Sequence, residues 1–105
     1  MIEYNVEISN KFYDDMDKII EQKEEYGTYQ SNIDEFKNEV NARWLQLKTS
    51  PKGGSNLSTR VNRPTNKKYF VIEKKYLMFY EVISDTEVHV SDILPAKSNW
   101  QRVLF

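Results

Sequence analysis

The chain has 105 residues, 39% of them hydrophobic and 30% charged, which points to one small core in one domain over 1–105. It contains no cysteine, which excludes a disulfide framework and thiol chemistry. No apolar run nears the roughly 18 residues of a membrane span, and the opening Met1-Ile2-Glu3-Tyr4-Asn5 lacks the basic and apolar regions of a secretory signal, so a cytoplasmic protein without membrane contact is expected.

Glu3 to Ile8 alternates polar and apolar residues, which predicts a half-buried strand. Ser9 and Asn10 are suitable N-caps for a helix over Lys11 to Glu25, in which Phe12, Met16, Ile19 and Ile20 recur at helical spacing. Gly27 breaks that helix. Ser31 and Asp34 have the spacing of a capping box, predicting a second helix start there. Ile33, Phe36, Val40, Trp44 and Leu47 mark its inner face up to about Thr49, so the two helices form a hairpin.

Ser50 to Asn56 reads as a Pro/Gly loop, and strand patterns follow it. Leu57 to Val61 is a short strand candidate, and Asn62 to Asn66 a turn. Lys68 to Glu73 and Tyr76 to Ile83 are rich in aromatic and β-branched residues, with Lys74-Lys75 as a tight connection. Thr86 to Leu94 alternates through Val88 and Val90. Strand, two helices, then hairpin-connected strands make an α+β domain: an αα-hairpin on one face of a mostly antiparallel sheet of three to four further strands. The chain ends on Trp100, Val103, Leu104 and Phe105, which can fold back as an apolar clip. Covering Trp100 alone is worth roughly 2–3 kcal/mol.

The charge is unevenly distributed. Residues 1–40 hold eleven acids and four bases, while residues 41–105 hold eleven bases and five acids. A basic surface facing a polyanion or an acidic partner would produce this, and so would two oppositely charged layers attracting each other.

Four stretches carry a resemblance. Tyr4 to Ile20 (YNVEISNKFYDDMDKII), Leu45 to Gly54 (LQLKTSPKGG), Lys75 to Leu94 (KYLMFYEVISDTEVHVSDIL) and Ile93 to Phe105 (ILPAKSNWQRVLF) together resemble the RelE/ParE superfamily of toxins from type II toxin–antitoxin systems. The resemblance spans essentially the whole chain. It implies a toxin of the plasmid-stabilisation type, held inactive by a cognate antitoxin. One branch of the family cleaves mRNA at the ribosome; another poisons DNA gyrase and cuts no RNA. The scaffold alone does not settle which. A non-toxic α+β binding protein of phage or plasmid origin is the alternative reading.

RNA cleavage needs a base, an acid and cations around the phosphate. On the resemblance, Lys97, Arg60 and Lys52 are the candidate catalytic residues, with Arg63, Lys74, Lys75 and Arg102 as nucleic-acid or target contacts. Nucleases of the RelE branch carry an arginine inside the central hairpin strand, where this chain has Leu77, and the residue after the last strand is Lys97 rather than arginine. Lysine is a point charge and does not reproduce the arginine fork. Both departures favour the ParE branch. Glu73, the one acid between Arg43 and Lys75, is expected to pair with Lys74, Lys75 or Arg60. His89, the only histidine, shares a strand face with Glu87 and Ser91, as an ordinary surface residue or as a general base. With one histidine and no cysteine, no metal or cofactor is expected.

Overall fold

The computed structural model describes residues 3–104. Strand β1 (Asn5–Ile8) runs directly into helix α1 (Asn10–Glu25). Ser9 makes that junction: its Oγ accepts from the Phe12 N–H at 3.0 Å and donates to the Ser91 carbonyl at 2.7 Å. One hydroxyl therefore caps the helix and ties it to a distant strand. Helix α1 ends at Gly27, whose φ of 69° is open to glycine at little cost. The Gly27 N–H reaches Glu24 O and the Thr28 N–H reaches Lys23 O, which is the Schellman pattern.

Helix α2 (Gln30–Leu47) starts before the predicted capping box. Its N-cap is Tyr29, with no side-chain cap, and Ser31 already lies within the first turn. The Schellman ending leaves Tyr29 extended at φ −60°, ψ 143°, so the second helix starts as soon as the first has closed. Asp34 instead accepts from Gln30 Nε2 at 3.0 Å.

Strand β2 (Ser55–Asn56) is two residues long and leads into helix α3 (Leu57–Val61), where a strand was expected. Leu57 and Val61 lie four apart, so one helical turn places both on the sheet while Thr59 and Arg60 stay outside. A five-residue run satisfies both periods, and tertiary packing decides between them. Strands β3 (Lys67–Ile72), β4 (Tyr76–Val82) and β5 (Glu87–Pro95) follow, and helix α4 (Trp100–Leu104) closes the described chain.

The sheet order is β1-β5-β4-β3-β2, with β1 parallel to β5 and every other pair antiparallel. Helices α1 and α2 cover one face, where Phe12, Ile19, Phe36, Val40, Phe70, Ile72, Met78, Tyr80, Val88, Val90 and Ile93 form the main core. Lys11 locks α1 to β5: its amine meets the buried carboxylates of Asp92 at 2.6 Å and Asp15 at 3.0 Å. The other face is partly covered as well, which the sequence reading did not foresee. Leu57, Leu77, Phe79 and Trp100 form a second cluster under α3 and α4. Trp100 is buried with its ring 5.4 Å from that of Phe79, and Leu104 packs against the same cluster. The apolar ending thus covers the domain's own sheet, although Val103 stays exposed and Phe105 lies outside the described residues.

Candidate functional site

The candidate cations do not converge on one point. They fall into two groups around the sheet.

The first group surrounds the Pro/Gly loop. Pro51–Gly53 forms one buried-ended 3₁₀ turn that displays Lys52 to solvent. Tyr80 anchors this loop from β4: its hydroxyl donates to Pro51 O at 2.7 Å and accepts the Gly54 N–H at 3.0 Å. Burial pushes the Tyr80 phenol above its ordinary pKa, partly opposed by the Gly54 hydrogen bond. A side chain at Gly54 would run into that hydroxyl, so glycine is required there. Lys68 Nζ completes the clamp through Asn56 Oδ1 at 2.8 Å and Gly54 O at 3.4 Å.

Arg60 stands beside this loop on α3. The run that holds it, Leu57 to Val61, is this helix and not the strand its pattern predicted. Its guanidinium lies over the rings of Tyr69, at 5.4 Å, and Trp100, at 5.9 Å, which pre-orders its planar fork. Gly54, Ser55, Asn56, Thr59, Arg60 and Tyr69 line an open cleft of about 510 Å³. Arg63 is exposed in the turn after α3, and Arg102 is exposed on α4, two residues beyond Trp100.

The second group lies at the β3–β4 turn. Lys75 O accepts the Ala96 N–H at 2.8 Å, which brings Lys74, Lys75 and Lys97 to the same end of the sheet. Lys97 is exposed in the turn that follows Pro95, and its side chain has no partner among the described residues. The β3–β4 turn has two central residues, Glu73 at φ 53° and Lys74 at φ 61°, both left-handed. Such hairpin turns favour Asn-Gly, so neither side chain is the low-cost choice. The helices hold the turn in place. Glu73 pairs with Lys23 of α1 at 3.2 Å, and its N–H donates to Glu39 of α2 at 2.5 Å. The expected pairing of Glu73 with Lys74, Lys75 or Arg60 is therefore replaced by Lys23, because the left-handed turn brings Glu73 to the helices.

Two further positions matter chemically. Leu77, at the position that carries arginine in the nuclease branch, is 1% exposed beneath α3 and α4. His89 lies near the other end of β5, paired with Glu7 on β1 and Glu81 on β4. Six residues of strand separate His89 from Pro95, on the order of 20 Å, and Lys97 lies in the turn beyond. The histidine and the basic turn are thus not parts of one acid–base site.

The sequence reading missed a groove between α1 and α2. It encloses about 500 Å³ and is lined chiefly by Ile8, Phe12, Tyr13, Met16, Val40 and Trp44. Trp44 Nε1 is buried there without a hydrogen-bond partner. The available signal was Tyr13, an aromatic residue outside the buried stripe of α1 and 54% exposed.

No helix among the described residues is long and apolar enough to cross a membrane. The fold is similar to that of a solved structure described as the chromosomal ParDE TA system from P. aeruginosa, with a TM-score of 0.70 at 10% identity, covering 90% of this chain and 98% of that one. No curated protein matches the sequence significantly. Residues 6–100 match the family described as ParE toxin of type II toxin-antitoxin system, parDE. The match covers most of the chain, from β1 to the first residue of α4, and the protein belongs to the ParE toxin family of type II toxin–antitoxin systems.

Proposed function

We propose that this toxin acts by binding and blocking DNA gyrase, without cutting RNA, and that a cognate antitoxin silences it through the groove between α1 and α2. The observation that carries the first part is Leu77. The resemblance puts an arginine at that position in the nuclease branch, where a cation would meet the crowded phosphate. Here the position is apolar and roofed by Leu57 and Trp100. The cations that remain sit on the rim, where they suit contact with a large partner. Lys97, Lys74 and Lys75 form one contact region; Lys52, Arg60 and Arg63 form the other, with Arg102 on α4 beside Trp100. For the antitoxin, the groove supplies apolar walls with Asp17 and Lys37 at its margin, which fits a short amphipathic segment.

Supercoiling and cleavage-complex assays with purified gyrase test this reading, alongside primer extension on mRNA from a translation extract. Trapped DNA–gyrase complexes with intact mRNA are expected. Cuts in mRNA that vanish in Lys97→Ala would overturn it in favour of a ribosome-dependent endoribonuclease. For the antitoxin, Trp44→Ala and Met16→Glu should weaken neutralisation while leaving toxicity in place.

A further inference from the structure

The face of the sheet opposite α1 and α2 is apolar under α3 and α4 but polar toward the β1 edge. The parallel register sets Glu7 of β1 directly beside His89 of β5, and Glu87 precedes His89 by two residues on the same face. His89 Nε2 lies 3.5 Å from Glu7 Oε2 and 3.5 Å from Glu87 Oε1. Neither contact has the geometry of a hydrogen bond: Nε2 is shielded from solvent and has no hydrogen-bond partner. Two carboxylates thus converge on a ring nitrogen with no other role, and the three donor atoms lie within 4.8 Å of one another.

We propose that Glu7, Glu87 and His89 form a zinc(II)-binding site. The spacing supports it. A tetrahedral ion with ligand bonds of about 2.0–2.2 Å holds its donors about 3.3–3.6 Å apart, and both distances from His89 fall in that interval. The donor set supports it too. One imidazole with two carboxylates suits a borderline ion, whereas calcium and magnesium take oxygen ligands. A divalent ion also balances both carboxylates, while a protonated imidazole balances one. Glu7 is exposed on a flexible stem and can close the remaining edge by rotation, leaving the fourth position to water. The backbone beneath is fixed by the β1–β5 ladder, so the site is half-built before any ion arrives. Counting histidines in the sequence does not find it, because the strand register supplies the other donors.

Untagged full-length protein, stripped with EDTA, should be titrated with zinc chloride by calorimetry and followed by NMR at the imidazole. His89 is the only histidine, so its ring signals need no assignment. One saturable site is expected, with the ring signals shifted. Binding should be lost in His89→Ala and weakened at least tenfold in Glu7→Gln and Glu87→Gln. Glu24→Gln, on the outer side of α1, should bind as the wild type does. All variants should melt with the wild type in EDTA, since these side chains are partly or fully exposed; with zinc the wild type and Glu24→Gln should gain melting temperature equally, Glu7→Gln and Glu87→Gln less, and His89→Ala not at all. Absence of a saturable site in the wild type, or zinc binding retained in His89→Ala, would overturn the proposal.

Discussion

Replacing Tyr80 with phenylalanine would take one hydroxyl away from two backbone groups, the Pro51 carbonyl and the Gly54 N–H. Both lie in the loop that carries Lys52. Leaving them unpaired should cost about 1–3 kcal/mol in urea denaturation, with faster amide exchange at Gly54. The same phenol bears on pH. Tyr80 holds its proton above the ordinary 10.0 because it is buried, against a smaller opposing effect from Gly54. Burial alone would lower Lys11, but the hydrogen bonds and charges of Asp92 and Asp15 outweigh it and hold the amine above 10.5. Each group keeps its proton in the folded state at a pH where the unfolded chain has released it. The stability each contributes is complete below its unfolded value and is lost as pH rises through its folded value. Melting temperature should therefore fall as pH rises from about 10, and the fall should be shallower in the double variant Lys11→Met, Tyr80→Phe.

At the scale of elements, α4 and the β3–β4 turn give opposite predictions. Trp100→Ala opens a cavity between Phe79, Arg60 and Leu57, and should destabilise by about 3–5 kcal/mol in chemical denaturation. Lys74→Gly should stabilise by about 1 kcal/mol, since glycine takes the left-handed conformation without the Cβ penalty. The order strand, two helices, sheet was legible because Phe12, Ile19, Phe36 and Val40 recur at helical spacing and the run from Tyr76 to Tyr80 is dense in strand formers. Leu57 to Val61 was not legible, because residues four apart in a five-residue run fit a helical turn as well as a strand. The capping box failed because the Gly27 ending sets where α2 begins. Of the candidate site, the basic rim residues could be picked out by charge and resemblance. Their division into two groups could not, since the Lys75–Ala96 hydrogen bond that gathers Lys97 depends on sheet register. The partner of Glu73 was hidden for the same reason.

Over the whole molecule, most acidic residues of positions 1–40 lie on the helix hairpin, and most basic residues of positions 41–105 lie on the sheet with its loops and short helices. The ion pairs between the layers, such as Lys23–Glu73, run against this contrast, and Lys97 has no partner among the described residues. Lys97→Ala should leave melting temperature within about 3 °C, the usual result for an exposed site, and should reduce growth arrest on induced expression. Unchanged arrest would remove the β3–β4 end of the sheet from the target contact.

The sheet order carries a consequence for when toxicity begins. β5 sits between β1 and β4, so the first strand of the domain has no neighbour until residues 87–95 are available. Ser9, which starts α1, likewise waits for a partner 82 residues downstream. A chain that has not yet reached residue 87 cannot join β1 to the sheet, and pairings of such long range form slowly. The competent surface therefore arises late, after most of the chain has been made. An antitoxin translated alongside has that interval in which to meet the toxin before it reaches its target.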